Sequence, residues 1–385
     1  MKSKVSQRIR HLIVPVLFLG ILTGGGVWQI LTPDRDYSVH ERRLLQQKPA
    51  FGVAQVLDSS YMSEYETYLT DQFPIRDTWI TMKTYAGLFM GQRENSGVYI
   101  TKNDGLIELH RTSEMDEGRM EENTRVLLSF TDSMAKQLGA EHVRIMLVPT
   151  ADCIKKNCLP EGIGLFDQSA YLQNLQEKLL QKSYADVLVP AERELMLHAG
   201  EELYYKTDHH WTALGAYYGY AAYAGKQARE LDDFSFQVIT DRFTGTVAAK
   251  CGMYRFRDEI MLIHLKTDQT YLVNHNNGEK ISDSLYEENM AYGDDPYAVY
   301  LGGNDAITTI ETNPRSDRSL LIIRDSYANC FVPYLTQDYG KITLVDPRYY
   351  NGSIAELSTE GYTDILVLYN LPNFLTDRQI YKLMR

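Results

Sequence analysis

Cysteine is scarce in this sequence, with four cysteines among 385 residues. That number is too small for the disulfide framework on which small secreted domains depend. Cys153 and Cys158 enclose a short loop that a disulfide could close in an oxidising compartment, and a pair of free, buried thiols is the alternative. The fold must therefore rest on a hydrophobic core, for which the 44% apolar content of the chain is sufficient.

Positive charge is also in deficit, because 51 acidic residues face 39 basic ones and the formal net charge is −12. Four of the basic residues stand close to the N-terminus, so the rest of the chain is more acidic still. Such a body repels the phosphates of nucleic acid, and the sequence therefore predicts no nucleic-acid partner. Internal repeats and low-complexity tracts are absent, which excludes solenoid and disordered classes.

One long apolar run, Leu12 to Leu31, follows a basic head that contains Lys2, Lys4, Arg8 and Arg10. A helix of about 20 residues is ~30 Å long, enough for one crossing of a bilayer. We therefore expect a cytoplasmic head and transmembrane anchor at residues 1–32, in a single-pass protein of the cell membrane with an extracytoplasmic body. A cleaved signal peptide, with three glycines at 24–26 near the cleavage position, and a buried core helix are the alternatives.

Residues 33–95 are expected to form a helical stalk. Apolar and aromatic side chains recur at helical spacing on both sides of Phe73-Pro74-Ile75, which predicts two helices. Packing accounts for this aromatic stripe without a ligand.

The remainder, residues 96–385, alternates short apolar runs with helical patterns, which is typical of an α/β domain. Strands are expected at Val143 to Val148, Val187 to Val189, Leu320 to Ile323, Lys341 to Val345 and Asp364 to Leu368. Strand–helix–strand order at this spacing indicates right-handed parallel crossovers. Residues 234–314 carry short alternating runs instead and predict an antiparallel β insertion.

Asp208, His209, His210 and Trp211 occupy four consecutive positions before a helical pattern. An aspartate two positions from a histidine can hydrogen-bond to the imidazole and fix its tautomer, as in a general base. Ser326 follows the apolar run that ends at Ile323, which is where an α/β protein exposes a nucleophile. We therefore predict a triad in which Ser326 attacks an ester carbonyl, His210 takes the proton and Asp208 orients His210.

Three alternatives remain for this cluster. His209 is the other candidate base, and the whole cluster could be buried polar residues satisfied by the backbone. A zinc site has less support, because two adjacent histidines and one aspartate need further ligands that no other stretch supplies. The sequence predicts neither a metal nor another cofactor.

Several motifs resemble those of the bacterial DHHW proteins, which are similar to the AlgX/AlgJ-type polysaccharide O-acetylation proteins with an SGNH-hydrolase-like domain. They are TDHHWT at 207–212, IIRDSYANCFVPYL at 322–335, LVDPRYY at 344–350, and Asp36-Tyr37-Ser38 with Glu41-Arg42-Arg43. The resemblance covers most of the chain. It implies His210 as the base, because the related acetylation proteins have one histidine at this position.

The same resemblance implies the fold. SGNH hydrolases usually carry the serine first and the aspartate and histidine last, and here the order is reversed. We therefore expect a permuted SGNH-hydrolase-like, flavodoxin-like parallel sheet with helices on both faces, together with the antiparallel insertion and the N-terminal transmembrane helix.

The carboxyl ends of parallel strands meet at one crevice, so oxyanion donors are expected there. Asn370 stands where the related hydrolases keep an asparagine donor, and the backbone N–H groups of Ser326 and Tyr327 would complete the oxyanion hole. The remaining predicted substrate-binding residues are Tyr369, Arg348, His209 and Trp211. Arg348 could clamp an anionic group or form a salt bridge.

Two further features of the sequence are expected to have a structural role and no catalytic one. Gly302-Gly303-Asn304-Asp305 copies the letters of an SGNH block but precedes the serine strand, so we interpret it as a turn. Asp325 is expected to bind the local backbone or Arg324 and is not counted in the triad.

The resemblance implies a membrane-anchored, extracytoplasmic O-acetyltransferase or acetylesterase that acts on a cell-envelope or secreted polysaccharide. Acetyl donors do not cross membranes unaided, so it also implies a multi-spanning, MBOAT-type membrane acyltransferase as partner. The alternative function is a catalytically silent polysaccharide-binding or scaffold protein of an export or modification complex.

Overall fold

The computed structural model describes residues 2–38, 43–57, 60–103, 105–267, 269–312, 316–358 and 360–385. Glu41 and Arg42 of the N-terminal motif, and residues 313 and 314 of the predicted insertion, lie outside these ranges. The chain divides into two compact units, Met1–Gly91 and Gln92–Arg385.

The first unit begins with helix α1, Lys2–Leu31, which contains the apolar run predicted to be a membrane anchor. Among the residues that the structure describes, no helix is both long and apolar enough to cross a membrane. The transmembrane anchor at residues 1–32 stays a prediction.

The rest of the first unit is a short two-stranded ribbon and three helices. These elements are β1 Tyr37–Ser38, β2 Arg43–Leu44, α2 Val53–Leu57, α3 Ser60–Asp71 and α4 Arg76–Phe89. Helices α3 and α4 lie on either side of Phe73–Ile75, where the sequence predicts a break. The stripe on α3 packs against itself, because the ring centroids of Tyr61 and Tyr65 are 5.8 Å apart.

The second unit opens with a small antiparallel sheet of β3 Glu94–Asn95, β4 Val98–Ile100 and β5 Leu106–Glu108. Helix α5, Glu117–Leu138, follows and is capped by Asp116, whose carboxylate accepts a hydrogen bond from the Arg119 N–H at 3.1 Å. The remaining elements, in chain order, are β6 Val143–Val148, α6 Ala151–Ile154, α7 Gln168–Gln181, α8 Ala191–Leu197, α9 Ala213–Ala224, β7 Phe234–Phe243, α10 Thr246–Cys251, β8 Asp258–Leu265, β9 Tyr271–His275, β10 Lys280–Ser282, β11 Ile307–Thr312, β12 Ser319–Arg324, α11 Ala328–Leu335, β13 Lys341–Val345, α12 Ile354–Leu357, β14 Asp364–Asn370 and α13 Leu371–Thr376.

A seven-stranded sheet organises this unit in the order β10-β9-β11-β13-β12-β14-β6. The pairs β13–β12, β12–β14 and β14–β6 are parallel, whereas β11, β9 and β10 are added antiparallel. The strand predicted at Val187–Val189 is reduced to one parallel bridge between Ile145 and Leu188. The ladder ends there because the Ala191 N–H, which would be its next donor, bonds to the Val189 carbonyl at 2.8 Å instead.

The strands between α9 and β12 belong to two different sheets. Strands β7 and β8 form a separate two-stranded ribbon, while β9, β10 and β11 extend the central sheet. Only the ribbon is therefore detached from the sheet, and β11 pairs directly with β13.

Strand β12 is covered by helices on both faces of the sheet. Leu320 and Ile322 pack with α8, α9 and α11, whereas Leu321 and Ile323 pack with α5, α7, α12 and α13. All four side chains are fully buried. A strand buried on both faces must be apolar at every position, which is the pattern read from the sequence. The second unit therefore has a mixed α/β fold.

Candidate active site

Ser326 lies in the turn between β12 and α11, at the carboxyl edge of the parallel strands. The carboxylate of Asp325 shapes this turn. It accepts hydrogen bonds from the Tyr327 N–H at 2.9 Å, the Asn370 N–H at 3.0 Å and the Asn373 amide at 2.9 Å. Burial raises the pKa of Asp325, because these donors only partly replace water. Asp325 thus binds the local backbone, as expected.

Asp208, His210 and Ser326 form one chain of hydrogen bonds. Nε2 of His210 lies 2.7 Å from Oγ of Ser326, and Nδ1 of His210 lies 2.5 Å from Oδ1 of Asp208. Asp208 and His210 are buried, and Ser326 is partly exposed. The structure therefore brings together the three residues of the predicted triad, although 116 positions separate His210 from Ser326.

Asp208 is held on its other side by the start of α10. Its Oδ2 accepts hydrogen bonds from the Thr246 N–H at 2.9 Å and the Thr246 hydroxyl at 3.1 Å. Gly245 passes so close that a Cβ there would lie 2.2 Å from the Cβ of Asp208. Only glycine allows this approach of the backbone.

Tyr297 covers the imidazole of His210. The two rings are stacked with centroids 3.7 Å apart and planes 11° apart, and Tyr297 is buried. The Tyr297 hydroxyl donates to the Ser326 carbonyl at 3.4 Å. Tyr297 and Thr246 were not predicted, because neither lies near the motif in sequence and no spacing points to them.

His209 contacts the start of α10. Its Nδ1 lies 3.0 Å from the Thr246 hydroxyl and 3.5 Å from Oδ1 of Asp208, and a third of its side chain is exposed. Among the hydrogen bonds of the described residues, only that of His210 reaches Ser326 Oγ. The geometry therefore favours His210 over His209 as the base.

Trp211 and Tyr369 lie in the core, so the predicted substrate-binding role is wrong for both. Trp211 is fully buried, and its indole N–H donates to the Tyr327 carbonyl at 3.0 Å. Its ring packs so tightly on α9 that a Cβ at Gly219 would lie 2.6 Å from it. Tyr369 is also fully buried, on the opposite face of the sheet, where it packs beside Phe374.

Tyr327 is likewise unavailable to a substrate. Its side chain is fully buried, and its hydroxyl donates to the His209 carbonyl at 2.5 Å. Its backbone N–H is bound by Asp325, so the prediction that this group completes an oxyanion hole is wrong. The Ser326 N–H, in contrast, has no acceptor among the described residues.

Asn370 lies beside the serine turn, because its N–H is bound by Asp325. Its side-chain oxygen caps α13 by accepting the Asn373 N–H at 3.0 Å. The Nδ2 group has no acceptor among the described residues, so it is available as a donor.

Arg348 forms a salt bridge. Its Nε and one terminal nitrogen contact the two oxygens of Asp346 at 2.9 and 2.6 Å. Burial opposes its charge, but this ion pair outweighs burial and raises the pKa of Arg348. The alternative interpretation of Arg348 as a salt-bridge residue is therefore the one that the structure supports.

The Gly302–Asp305 block forms a turn, but the turn lies against the serine loop. The Asn304 amide oxygen accepts hydrogen bonds from Arg324 and, at 3.1 Å, from Asn329. These two residues stand two positions before and three positions after Ser326. Arg324 is fully buried, and burial lowers its pKa. The expected turn is thus part of the support of the site.

Asp208, His209 and His210 each offer one metal-ligand atom within 4.8 Å of the others. Both ring nitrogens of His210 already bind protein groups, Asp208 and Ser326. A metal at this position would have to displace one of them, so the residues present fit proton transfer better than metal binding.

Cys153 and Cys158 are free thiols, and burial raises the pKa of Cys153 to about 12.

The comparisons with known proteins agree with this fold. The family model described as DHHW protein matches residues 124–345. A DHHW family protein from Eubacterium siraeum is 23% identical, covers 75% of this chain and 95% of its own, and superposes with a TM-score of 0.61. PatB1 from Bacillus cereus, solved with a sulfonyl adduct, is 19% identical, covers 74% of this chain and 99% of its own, and has a TM-score of 0.57.

The O-acetyltransferase domain of Pseudomonas putida AlgJ is more distant, at 14% identity and a TM-score of 0.42, with 75% of this chain and 99% of that chain covered. No curated protein sequence matches this chain.

Proposed function

This chain belongs to the DHHW protein family, and we propose that it is an O-acetyltransferase or acetylesterase that acts through Ser326 on a cell-envelope or secreted polysaccharide. The observation that carries the proposal is the chain of hydrogen bonds Asp208–His210–Ser326, at 2.5 and 2.7 Å. A serine hydroxyl within reach of an imidazole, itself oriented by a buried carboxylate, is the arrangement of an activated nucleophile.

In the first step Ser326 Oγ bonds to the carbonyl carbon of the acetyl donor, and its proton passes to Nε2 of His210. Asp208 holds the opposite ring nitrogen and stabilises the imidazolium that forms. When the tetrahedral intermediate collapses, the bond to the donor oxygen breaks and that oxygen receives the proton from His210. The product is an acetyl ester of Ser326.

Two donors can stabilise the oxyanion of this intermediate. The Ser326 N–H and the Asn370 Nδ2 group have no acceptors among the described residues, and both lie at the turn that Asp325 organises. Removing one such donor from an enzyme typically lowers the rate by about 10²- to 10³-fold.

In the second step a hydroxyl group attacks the acetyl-serine, and His210 takes its proton and returns it to Ser326. A sugar hydroxyl gives transfer, and water gives hydrolysis. The two reactions share the acyl-serine and differ only in the acceptor.

The proposal includes a position outside the cytoplasm and a multi-spanning, MBOAT-type membrane acyltransferase that supplies the acetyl group. The basic head and apolar run of the sequence support that position. Mass spectrometry of fractionated cells tests it. A mature N-terminus between residues 24 and 36 would mean cleavage, and recovery of the whole protein in the cytosol would contradict the location.

Covalent labelling tests the chemistry. The full chain should release a burst of p-nitrophenol from p-nitrophenyl acetate, and the peptide that carries Ser326 should gain one acetyl group. A sulfonyl fluoride should label the same serine, as the sulfonyl adduct of PatB1 suggests. Ser326→Ala should lose both labels, whereas Ser129→Ala, on helix α5, should keep them.

Absence of label on Ser326 in a folded protein would overturn the enzymatic proposal. Retained binding of polysaccharide under those conditions would favour the alternative, a scaffold that holds the polymer for other enzymes.

A further inference from the structure

A second histidine–aspartate pair lies at the same edge of the sheet as Ser326. Nδ1 of His110 lies 3.1 Å from Oδ2 of Asp152, and the His110 backbone N–H donates to the same oxygen at 2.8 Å. The carboxylate of Asp152 is buried, while 19% of the His110 side chain is exposed. The pair repeats the arrangement of Asp208 and His210, with Nδ1 bound by a carboxylate.

The second pair is rigidly supported. The other oxygen of Asp152 accepts hydrogen bonds from the Thr150 hydroxyl at 2.7 Å and the Gln168 amide at 2.9 Å. The same amide group of Gln168 also donates to the Thr150 hydroxyl at 2.7 Å, and the Gln168 oxygen accepts the Thr150 N–H at 3.1 Å. Nε2 of His110 has no partner among the described residues. One imidazole nitrogen of a well-supported ring is thus left without a hydrogen-bond partner in the part of the chain that the structure describes.

The sheet sets the distance between the two pairs. Thr150 follows the end of β6, which pairs with β14, and β14 pairs with β12, which ends just before Ser326. Two steps between neighbouring strands amount to about 10 Å. His110 is therefore at a distance from Ser326 that a short stretch of sugar chain can span.

Glu108 is close enough to His110 and His209 for the charges of both to act on its carboxylate. Burial alone would raise its pKa, but the nearby positive groups His110, Lys250 and His209 outweigh burial and hold the pKa of Glu108 below its ordinary value. One oxygen of Glu108 accepts a hydrogen bond from Lys250 at 2.8 Å, and a quarter of the Glu108 side chain is exposed. The ring centroids of His209 and His210 are 3.9 Å apart, so Glu108 interacts electrostatically with the residue beside the base. We refer to Glu108, His110 and Lys250 as the border of the reacting centre.

The charges at this border are balanced. Glu108 is paired with Lys250, and His110 is paired with Asp152. The chain as a whole is acidic, with a formal net charge of −12. A border without surplus positive charge, on an acidic protein, does not favour an anionic polymer. It suits a neutral molecule that both donates and accepts hydrogen bonds.

We propose that His110 and Glu108 form an acceptor subsite that binds a neutral, hydroxyl-rich sugar unit and directs a neighbouring hydroxyl to the acetyl-serine. Sugar hydroxyls accept hydrogen bonds from Nε2–H of the positively charged His110 and from Lys250, and they donate to the carboxylate of Glu108. Asp152 acts through His110 and is a positioning residue. The inference rests on the proposed function for the reaction that follows binding.

Binding is tested without catalysis. Ser326→Ala protein, full length, is titrated with cellohexaose and with hexagalacturonate by calorimetry. The neutral hexasaccharide should bind at least tenfold more tightly than the anionic one, and His110→Ala should weaken its binding at least tenfold. His264→Ala, a histidine on the β8 strand outside this border, is the matched control and should bind as before. Equal binding of both sugars, or unchanged binding by His110→Ala, overturns the subsite.

Transfer is tested by competition within one sample. The acetyl-enzyme formed from p-nitrophenyl acetate is offered cellohexaose together with methanol, which is too small to reach His110 from Ser326. The ratio of acetyl-hexasaccharide to methyl acetate should fall at least tenfold in His110→Ala and partly in Asp152→Asn. Because both products come from one acyl-serine, the ratio does not depend on the amount of folded protein.

The two experiments separate the inference from the proposed function. Failure to form an acetyl-enzyme overturns the proposed function, while the loss of binding in the His110→Ala variant still supports the subsite. Normal acetylation with an unchanged product ratio overturns the subsite alone.

Discussion

The ring of Tyr297 lies parallel to the imidazole of His210, with centroids 3.7 Å apart. The stacking contact restrains the plane of the His210 ring. Asp208 and Ser326 bind its two nitrogens. Tyr297→Ala should therefore lower the rate of Ser326 acetylation about tenfold, since an aromatic pair contributes ~0.5–1.5 kcal/mol and 1.36 kcal/mol corresponds to tenfold in rate. Tyr297→Phe keeps the stack and should lose much less. Burst kinetics with p-nitrophenyl acetate measures both, and equal losses would show that the hydroxyl matters and the stack does not.

The three residues of the proposed triad should differ in what their removal does. Ser326→Ala should abolish acetyl-enzyme formation. Asp208→Asn should keep the geometry but favour the wrong imidazole tautomer, a change that costs about 10⁴-fold in the serine-protease case. His209→Ala should spare most of the activity, because His209 does not contact Ser326. Loss of acetylation in His209→Ala with survival in His210→Ala would reverse the assignment of the base.

Gly245 should tolerate no side chain. A Cβ at this position meets the Asp208 side chain at 2.2–2.6 Å, so Gly245→Ala must push the carboxylate away from His210. We expect acetylation to fall by at least tenfold and stability by about 1–3 kcal/mol, as for other overpacked sites. Gly200→Ala is the control, since nothing lies within 4 Å of a Cβ there. Comparable activity in the two variants, with both folded, would contradict the prediction.

Asn304 should prove important to the serine turn. Asn304→Ala removes the oxygen that binds Arg324 and Asn329 and leaves the guanidinium of Arg324 short of an acceptor. Loss of a hydrogen bond to a charged group costs about 1.5–3 kcal/mol. Thermal unfolding should show that loss together with slower acetylation. Asn304→Asp keeps an acceptor oxygen and should restore most of the stability, and failure of this rescue would argue against the contact.

His110 should make stability depend on pH. Burial works against its charge, but the hydrogen bond and charge of Asp152 outweigh burial and raise the pKa of His110. A histidine with a raised pKa in the folded state stabilises that state fully below its ordinary pKa of about 6.5, and this contribution is lost as the pH rises through the higher, folded-state pKa. The melting-temperature advantage over His110→Asn should therefore shrink as the pH rises above about 6.5. An advantage that grows with pH would refute the assignment.

The nucleophile and its partners could be predicted because their signals are local. The apolar run of β12 reveals a strand buried on both faces, and the serine follows its end. Asp208 and His210 are two positions apart, so their contact needs no knowledge of the fold. Their meeting with Ser326 was predicted from the chemistry that each residue can perform and was supported by the family resemblance, since no periodicity connects segments so far apart.

The errors come from side chains whose direction depends on the fold. Tyr369 and Asn370 are neighbours on β14, and the sequence does not reveal that the first points into a core while the second caps a helix. Trp211 belongs to the motif but packs against Gly219, a contact visible only in three dimensions. Tyr327 was expected to offer its N–H, which the carboxylate of Asp325 already binds.

The position of β12 in the sheet also has a consequence for biosynthesis. Its two neighbours, β13 and β14, both follow it in the chain, so a growing polypeptide that has just produced Ser326 cannot yet hold that serine between its flanking strands. His210 is synthesised 116 positions before Ser326. The serine turn is complete only after β14 has been synthesised to Asn370, because the Asn370 N–H binds the Asp325 carboxylate that shapes this turn.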